Sequence, residues 1–142
     1  MKNILKTGLV LFILISLTSI LSAQEGGHEP EMPKDEAARM HAEGMMMGEK
    51  VMLLDLYSDD VQIFIFPSTP LANGKEEAEK YWTEKFKKKT EKSIEVLDFY
   101  EVGNKLIVRT REFNAETMVP EIKAMIFEFE KSKIIGLYFI EA

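Results

Sequence analysis

The stretch Leu53 to Trp82, LLDLYSDDVQIFIFPSTPLANGKEEAEKYW, carries the order of elements that decides the fold. It reads as the end of a helix, an acidic turn at Ser58-Asp59-Asp60, and one short strand over Val61 to Phe66. β-Branched and aromatic residues favour that strand, and Pro67 stops it. Pro67 to Gly74 then forms a bend, and a second helix opens at Asn73 or Gly74 with Lys75-Glu76-Glu77. In this helix Ala78, Tyr81, Trp82 and Phe86 recur at helical spacing and make an inward face. Lys80, Lys85, Lys87, Lys88 and Lys89 stay in solvent, where cations near a helix C-terminus are favourable, rather than forming a patch for an acidic partner.

Towards the N-terminus, residues 34–58 are rich in Ala, Met, Leu, Glu and Lys, good helix formers, with Asp35 and Glu36 near the positive end of the helix. Ala38, Met45, Met52, Leu53 and Leu56 share one face, and Met40, Met47, Val51 and Leu54 form a second apolar stripe. Two stripes predict a helix covered on both sides, and Gly44 and Gly48 predict a kink or split. Towards the C-terminus four strands are expected, at Ser93–Glu101, Lys105–Ala115, Pro120–Glu130 and Lys133–Glu141. Short connectors at Gly103-Asn104 and Lys131-Ser132 make them an antiparallel meander. Helices first and strands after predict an α+β domain with its helices laid across one face of a curved antiparallel sheet.

The first residues supply Lys2 and Lys6, then an uncharged run from Thr7 to Gln24 ending in the small residues Ser22 and Ala23. This is the pattern of a secretory signal peptide over residues 1–23, and it predicts a periplasmic or secreted protein cleaved near Ala23. The rival reading is an N-terminal membrane anchor, because such a run approaches the roughly 18 residues of a spanning helix. After cleavage no stable membrane insertion is expected. Residues 24–33 (QEGGHEPEMP) lack any apolar period and read as a disordered tether to a single domain over residues 34–142. Removing Lys2 and Lys6 takes the charge from 18 − 24 = −6 to 16 − 24 = −8. An acidic domain disfavours a nucleic-acid partner, whose binding rests on neutralised phosphates. With no cysteine there is neither a disulfide staple nor a lipid-anchor site, so stability falls to the core.

Leu56-Tyr57-Ser58-Asp59-Asp60-Val61, Gly74-Lys75-Glu76-Glu77-Ala78 and Phe127-Glu128-Phe129 with Lys133-Ile134-Ile135 together resemble the nuclear transport factor 2-like superfamily, in particular its SnoaL-like members. The resemblance spans residues 36–142 and implies a cone-shaped domain with a pocket between the helices and the concave face of the sheet. Ketosteroid isomerases, scytalone dehydratase, polyketide cyclases, limonene epoxide hydrolases and many non-catalytic domains share these motifs, so the fold does not name the chemistry. Isomerase-like members place a general-base Asp directly before the Pro that ends the first strand; here that residue is Phe66. Their oxyanion-hole acid lies two residues before the aromatic pair of the penultimate strand, where this chain has Met125. A dehydratase-like site wants a pocket His, and the two histidines are His28 in the tether and His41 early in the first helix. The resemblance also implies a homodimer through the sheet, for which Ile107, Ile122 and Ile140 are candidate surface residues.

With both acid/base positions apolar, the expected role is binding of a small apolar molecule, or an accessory role, without a cofactor. Tyr57, Phe66, Trp82, Met125 and Tyr138 are the candidate ligand-binding residues, the tyrosines and tryptophan offering an apolar body with a polar tip. The catalytic alternative rests on Glu49, a carboxylate among Met45, Met52, Leu53 and Leu56 unless Gly48 turns it to water. On Leu106–Phe113, Thr110 and Glu112 share one face and Arg109 and Arg111 the other, which fits exposed cross-strand charge pairs for the arginines. A further alternative is copper at His28, Met40, His41 and Met45, since thioether and imidazole suit Cu(I). Met45, Met46 and Met47, being consecutive, cannot face one ion from a helix.

Overall fold

The computed structural model describes residues 30–88 and 92–141. The expected signal peptide over residues 1–23 and His28 therefore lie outside the described residues, as does most of the expected tether. Met32, near the tether's end, is docked: its backbone N–H donates to Ser132 Oγ at 3.1 Å and its side chain packs on the core. Among the described residues no helix is long and apolar enough to cross a membrane.

The long first helix is two helices, α1 (Lys34–Met47) and α2 (Lys50–Leu56). Gly48 adopts the left-handed conformation (φ 69°), which glycine enters without a Cβ clash, and both its N–H and that of Glu49 turn back to Gly44 O. Gly44 serves a different need: a Cβ there would lie 2.7 Å from Leu53 Cδ2, so its bare backbone lets the two helices approach. The break also undoes the second apolar stripe. Met47 and Val51 are 58% and 64% exposed, while burial falls on Ala37, Ala38, His41, Ala42, Leu53 and Leu56.

Strand β1 (Tyr57–Ile65) begins at once, so Tyr57 and Ser58 belong to the sheet and not to the helix. The acidic triplet is an irregularity within this strand, between the pairs Tyr57↔Ile134 and Gln62↔Gly136. The Pro-rich bend contains a strand of its own, β2 (Thr69–Asn73), which pairs antiparallel with β1. Pro70 misleads the sequence reading here; β2 is an edge strand, where a residue without an N–H is tolerated.

Helix α3 (Lys75–Lys87) follows Gly74, with Ala78 and Trp82 buried and Tyr81 and Phe86 half-buried against the core. The meander is β3 (Lys92–Val102), β4 (Lys105–Asn114), β5 (Pro120–Glu130) and β6 (Lys133–Ile140), each antiparallel to the next. Its last strand returns beside β1 and runs parallel to it, giving the order β2-β1-β6-β5-β4-β3. The result is the α+β arrangement expected, antiparallel everywhere except at the β1–β6 seam.

Alternation divides the sheet into two faces. Leu106, Val108, Thr110 and Glu112 of β4 point to the helices in register with Phe127, Met125, Lys123 and Glu121 of β5. The other face carries Arg109 paired with Asp98, and Arg111 with Glu95 at 2.8 Å, all four solvent-facing charges.

Candidate functional site

Two groups of polar side chains lie on the helix side of the sheet. The first is sealed in the core. His41 from α1, Tyr57 from the start of β1 and Trp82 from α3 are each at most 1% exposed. Trp82 Nε1–H donates to Tyr57 Oη at 3.0 Å, and Tyr57 Oη lies 2.7 Å from His41 Nε2. Because the phenol oxygen already accepts from the indole, the consistent proton assignment has Tyr57 O–H donating to Nε2, with the imidazole proton on Nδ1. Burial lowers the His41 pKa to about 3, so the ring is neutral, and burial likewise pushes the Tyr57 hydroxyl well above its ordinary value. Phe127 packs edge-on against the imidazole, its centroid 5.1 Å away. His41 Nδ1 and Thr110 Oγ1 have no hydrogen-bond partner among the described residues.

The second group borders an open cleft of about 660 Å³. Trp82, Tyr81 and Met45 from the helices, Leu71 and Ile65 from the β1–β2 hairpin and Phe139 from β6 give it an apolar lining. Trp82 thus has two roles: its N–H is spent in the core, while its ring stacks on Phe86 at 5.4 Å and forms part of the cleft. Lys85, Lys92, Glu112, Glu121, Lys123 and Glu141 supply charge. Glu112 is only 8% exposed, and its Oε2 accepts from Lys92 Nζ at 3.2 Å and Lys123 Nζ at 3.1 Å. Burial acts to lower the Lys123 pKa, but the hydrogen bond and charge of Glu112, aided by Glu121, outweigh it and raise the value. The cleft is therefore an apolar trough with a charged end.

Of the candidate ligand residues, Trp82 is in the cleft lining, and Tyr57 sits in the core behind it. Phe66 does not line it: one residue beyond inward Ile65, it points away and is 53% exposed. Tyr138 alternates with Leu137 and Phe139 and so projects from the opposite face, stacked on Phe64 at 5.3 Å. Met125 is buried on the inner face between Val108 and Phe139, deeper than the cleft-lining residues of β5. Glu49 falls in the break between α1 and α2 and is exposed, because the left-handed Gly48 turns it out of the apolar stripe. Met40 packs on the core, Met45 lines the cleft, and His41 Nε2 is taken by Tyr57, so these metal candidates have separate surroundings.

Glu112 and Lys123 are the residues that sequence reasoning missed. The signal was present in the alternation Leu106, Val108, Thr110, Glu112, which carries a carboxylate onto the same face as three core positions. Lys92 could not be found that way, since its reach depends on the pairing Lys92↔Asn114.

No protein-family profile and no curated protein matches this sequence. Solved structures do. An uncharacterised cystatin-fold protein from Novosphingobium aromaticivorans superposes with a TM-score of 0.67 at 18% identity, covering 78% of this chain and 99% of the other. The chain has the nuclear transport factor 2-like fold. An LEH-like epoxide hydrolase from M. tuberculosis matches at TM-score 0.61 and 8% identity over 73% of this chain and 78% of that one. A hypothetical protein with a ketosteroid isomerase-like fold from Catenulispora acidiphila, solved in complex with trimethylamine, matches at 0.61 and 11%, covering 75% and 85%.

Proposed function

We propose that this domain binds a small molecule with an apolar body in the Trp82 cleft, and that it does so without transforming it. The observation that carries the reading is the cleft itself: a concave apolar lining with a few convergent polar groups is the ordinary form of a small-molecule site. Structural neighbours named as an epoxide hydrolase and as a trimethylamine complex add that this fold accommodates small molecules elsewhere. Binding is favoured over catalysis because an enolisation site needs a free base and an opposed donor. Here the two positions that the resemblance identifies are solvent-exposed Phe66 and buried, apolar Met125. Glu112, the one buried carboxylate among the described residues, is already shared by two lysines.

Trp82 is the sole tryptophan, so its fluorescence reports on the cleft directly. A panel of apolar and amphipathic metabolites should include compounds that change this emission and raise the unfolding midpoint together, as ligand linkage requires. A panel without either response overturns the reading.

Export and self-association complete the proposal. Protein recovered from outside the cytoplasm should begin at Gln24; a retained leader would favour the anchor instead. The outer sheet face carries Tyr100, Ile107, Ile126, Tyr138 and Phe64 in one cross-strand register row, which supports a dimer through the sheet. Ile107→Lys should then convert a dimer to a monomer in equilibrium sedimentation, whereas a wild-type monomer at high concentration removes the idea.

A further inference from the structure

We infer that the ligand of the cleft is an anionic amphiphile, an alkyl or aryl monocarboxylate whose head lies against Lys92 and Lys123. This deepens the binding reading above and rests on it. At the charged end two ammonium groups converge on a single carboxylate oxygen, Glu112 Oε2. The partly buried cluster therefore carries one more positive charge than negative. Glu121 lies 3.5 Å from Lys123, but at 62% side-chain exposure its compensation is screened by water.

Donor capacity points the same way. Each ammonium has three N–H groups, and Glu112 uses one from each lysine. A carboxylate entering the cleft would accept some of the remaining donors in charge-assisted hydrogen bonds without displacing Glu112. A cationic head would have to compete with both lysines for Glu112, and a neutral hydroxyl would leave the excess charge unmatched. Lys85, whose Nζ stands 5.9 Å from the centre of the Tyr81 ring, is a further cation on the helix side of the same cleft, exposed as Glu121 and Glu141 are. Exposed Glu121 and Glu141 oppose the anion, and they disfavour a doubly charged head more than a single one.

The test titrates the intact domain with octanoate, 1-octanol and octylammonium, which share one apolar chain and differ in head charge, following Trp82 emission. Octanoate should bind about tenfold more tightly than 1-octanol, and octylammonium most weakly, because charge-assisted bonds separate the heads. In Lys123→Met and in Lys92→Met the octanoate-to-octanol ratio should fall to within about twofold. If 1-octanol or octylammonium equals or exceeds octanoate in the wild type, or if both variants keep the full ratio, the anionic ligand is wrong while cleft binding stands. If none of the three probes alters emission or the unfolding midpoint, cleft binding itself fails and this inference falls with it. The wild-type ranking decides the question even where a variant folds poorly.

Discussion

The core triad His41–Tyr57–Trp82 and the cleft cluster Lys92–Glu112–Lys123 both set polar groups into the apolar layer between helices and sheet, with opposite charge states. In the core, water is excluded, and the groups stay neutral: the indole donates to the phenol, the phenol to the imidazole, and burial holds the imidazole pKa near 3. At the cleft the lysines keep 37% and 42% of their side-chain surface, so charge survives and is only half offset by a shared carboxylate. Neutral hydrogen-bonded groups can be sealed at modest cost, while charges need partners and some solvent. The core cluster is therefore closed to solution, and the cleft cluster stands open to it.

Trp82 is the wall between the two, and its removal should have the largest effect. Trp82→Ala deletes a fully buried indole and leaves Tyr57 without its donor, which should destabilise the domain by about 3–5 kcal/mol in urea unfolding. Tyr57→Phe keeps the ring but strands both the indole N–H and His41 Nε2, for an expected loss of about 2–4 kcal/mol. A loss below about 1 kcal/mol for Tyr57→Phe would mean that the triad is not the sealed network described.

Acid separates the regions in a second way. The folded-state pKa of His41 lies near 3 and the ordinary value is 6.5, so between them the unfolded chain binds the proton that the folded chain refuses. Stability from this group is complete above 6.5 and declines as pH falls, by at most about 1.4 kcal/mol per unit, until the folded-state value is reached. Urea midpoints for the wild type should therefore drop more steeply between pH 6 and 4 than those of His41→Phe. Parallel profiles would place the imidazole in contact with water.

Much of the scaffold was legible because the patterns were local. The second helix, the four-strand meander and the inward face of Ala78 and Trp82 follow from spacing and short connectors. In the first helix the break at Gly48 was legible, but the second apolar stripe was not: with Gly48 in the left-handed conformation Val51 faces water while Leu53 and Leu56 stay buried. The strand at Thr69–Asn73 was hidden by Pro70, because only sheet order reveals that it lies at an edge. His41 read as an early helix residue, yet it meets Tyr57 and Trp82, partners 16 and 41 positions away in the chain that only the tertiary packing brings together. Whether a strand's charged face is inside or outside is likewise a pairing question, which is why Glu112 escaped while its neighbours Arg109 and Arg111 were read as surface pairs.

The smallest effects should come from charges that the sheet turns outward, and they calibrate the cleft. Glu112→Gln keeps the side-chain shape but leaves Lys92 and Lys123 without their shared counter-charge, and the expected loss is about 1–2 kcal/mol, reduced by the water that reaches both lysines. Arg109→Ala breaks a solvent-facing ion pair with Asp98, and its unfolding midpoint should match the wild type within error. High salt should shrink the first difference only in part and leave the second where it was. Equal responses of the two variants to substitution and to salt would mean that Glu112 is a surface carboxylate like any other. The charged end of the cleft would then be no better prepared for a ligand than the outer face of the sheet.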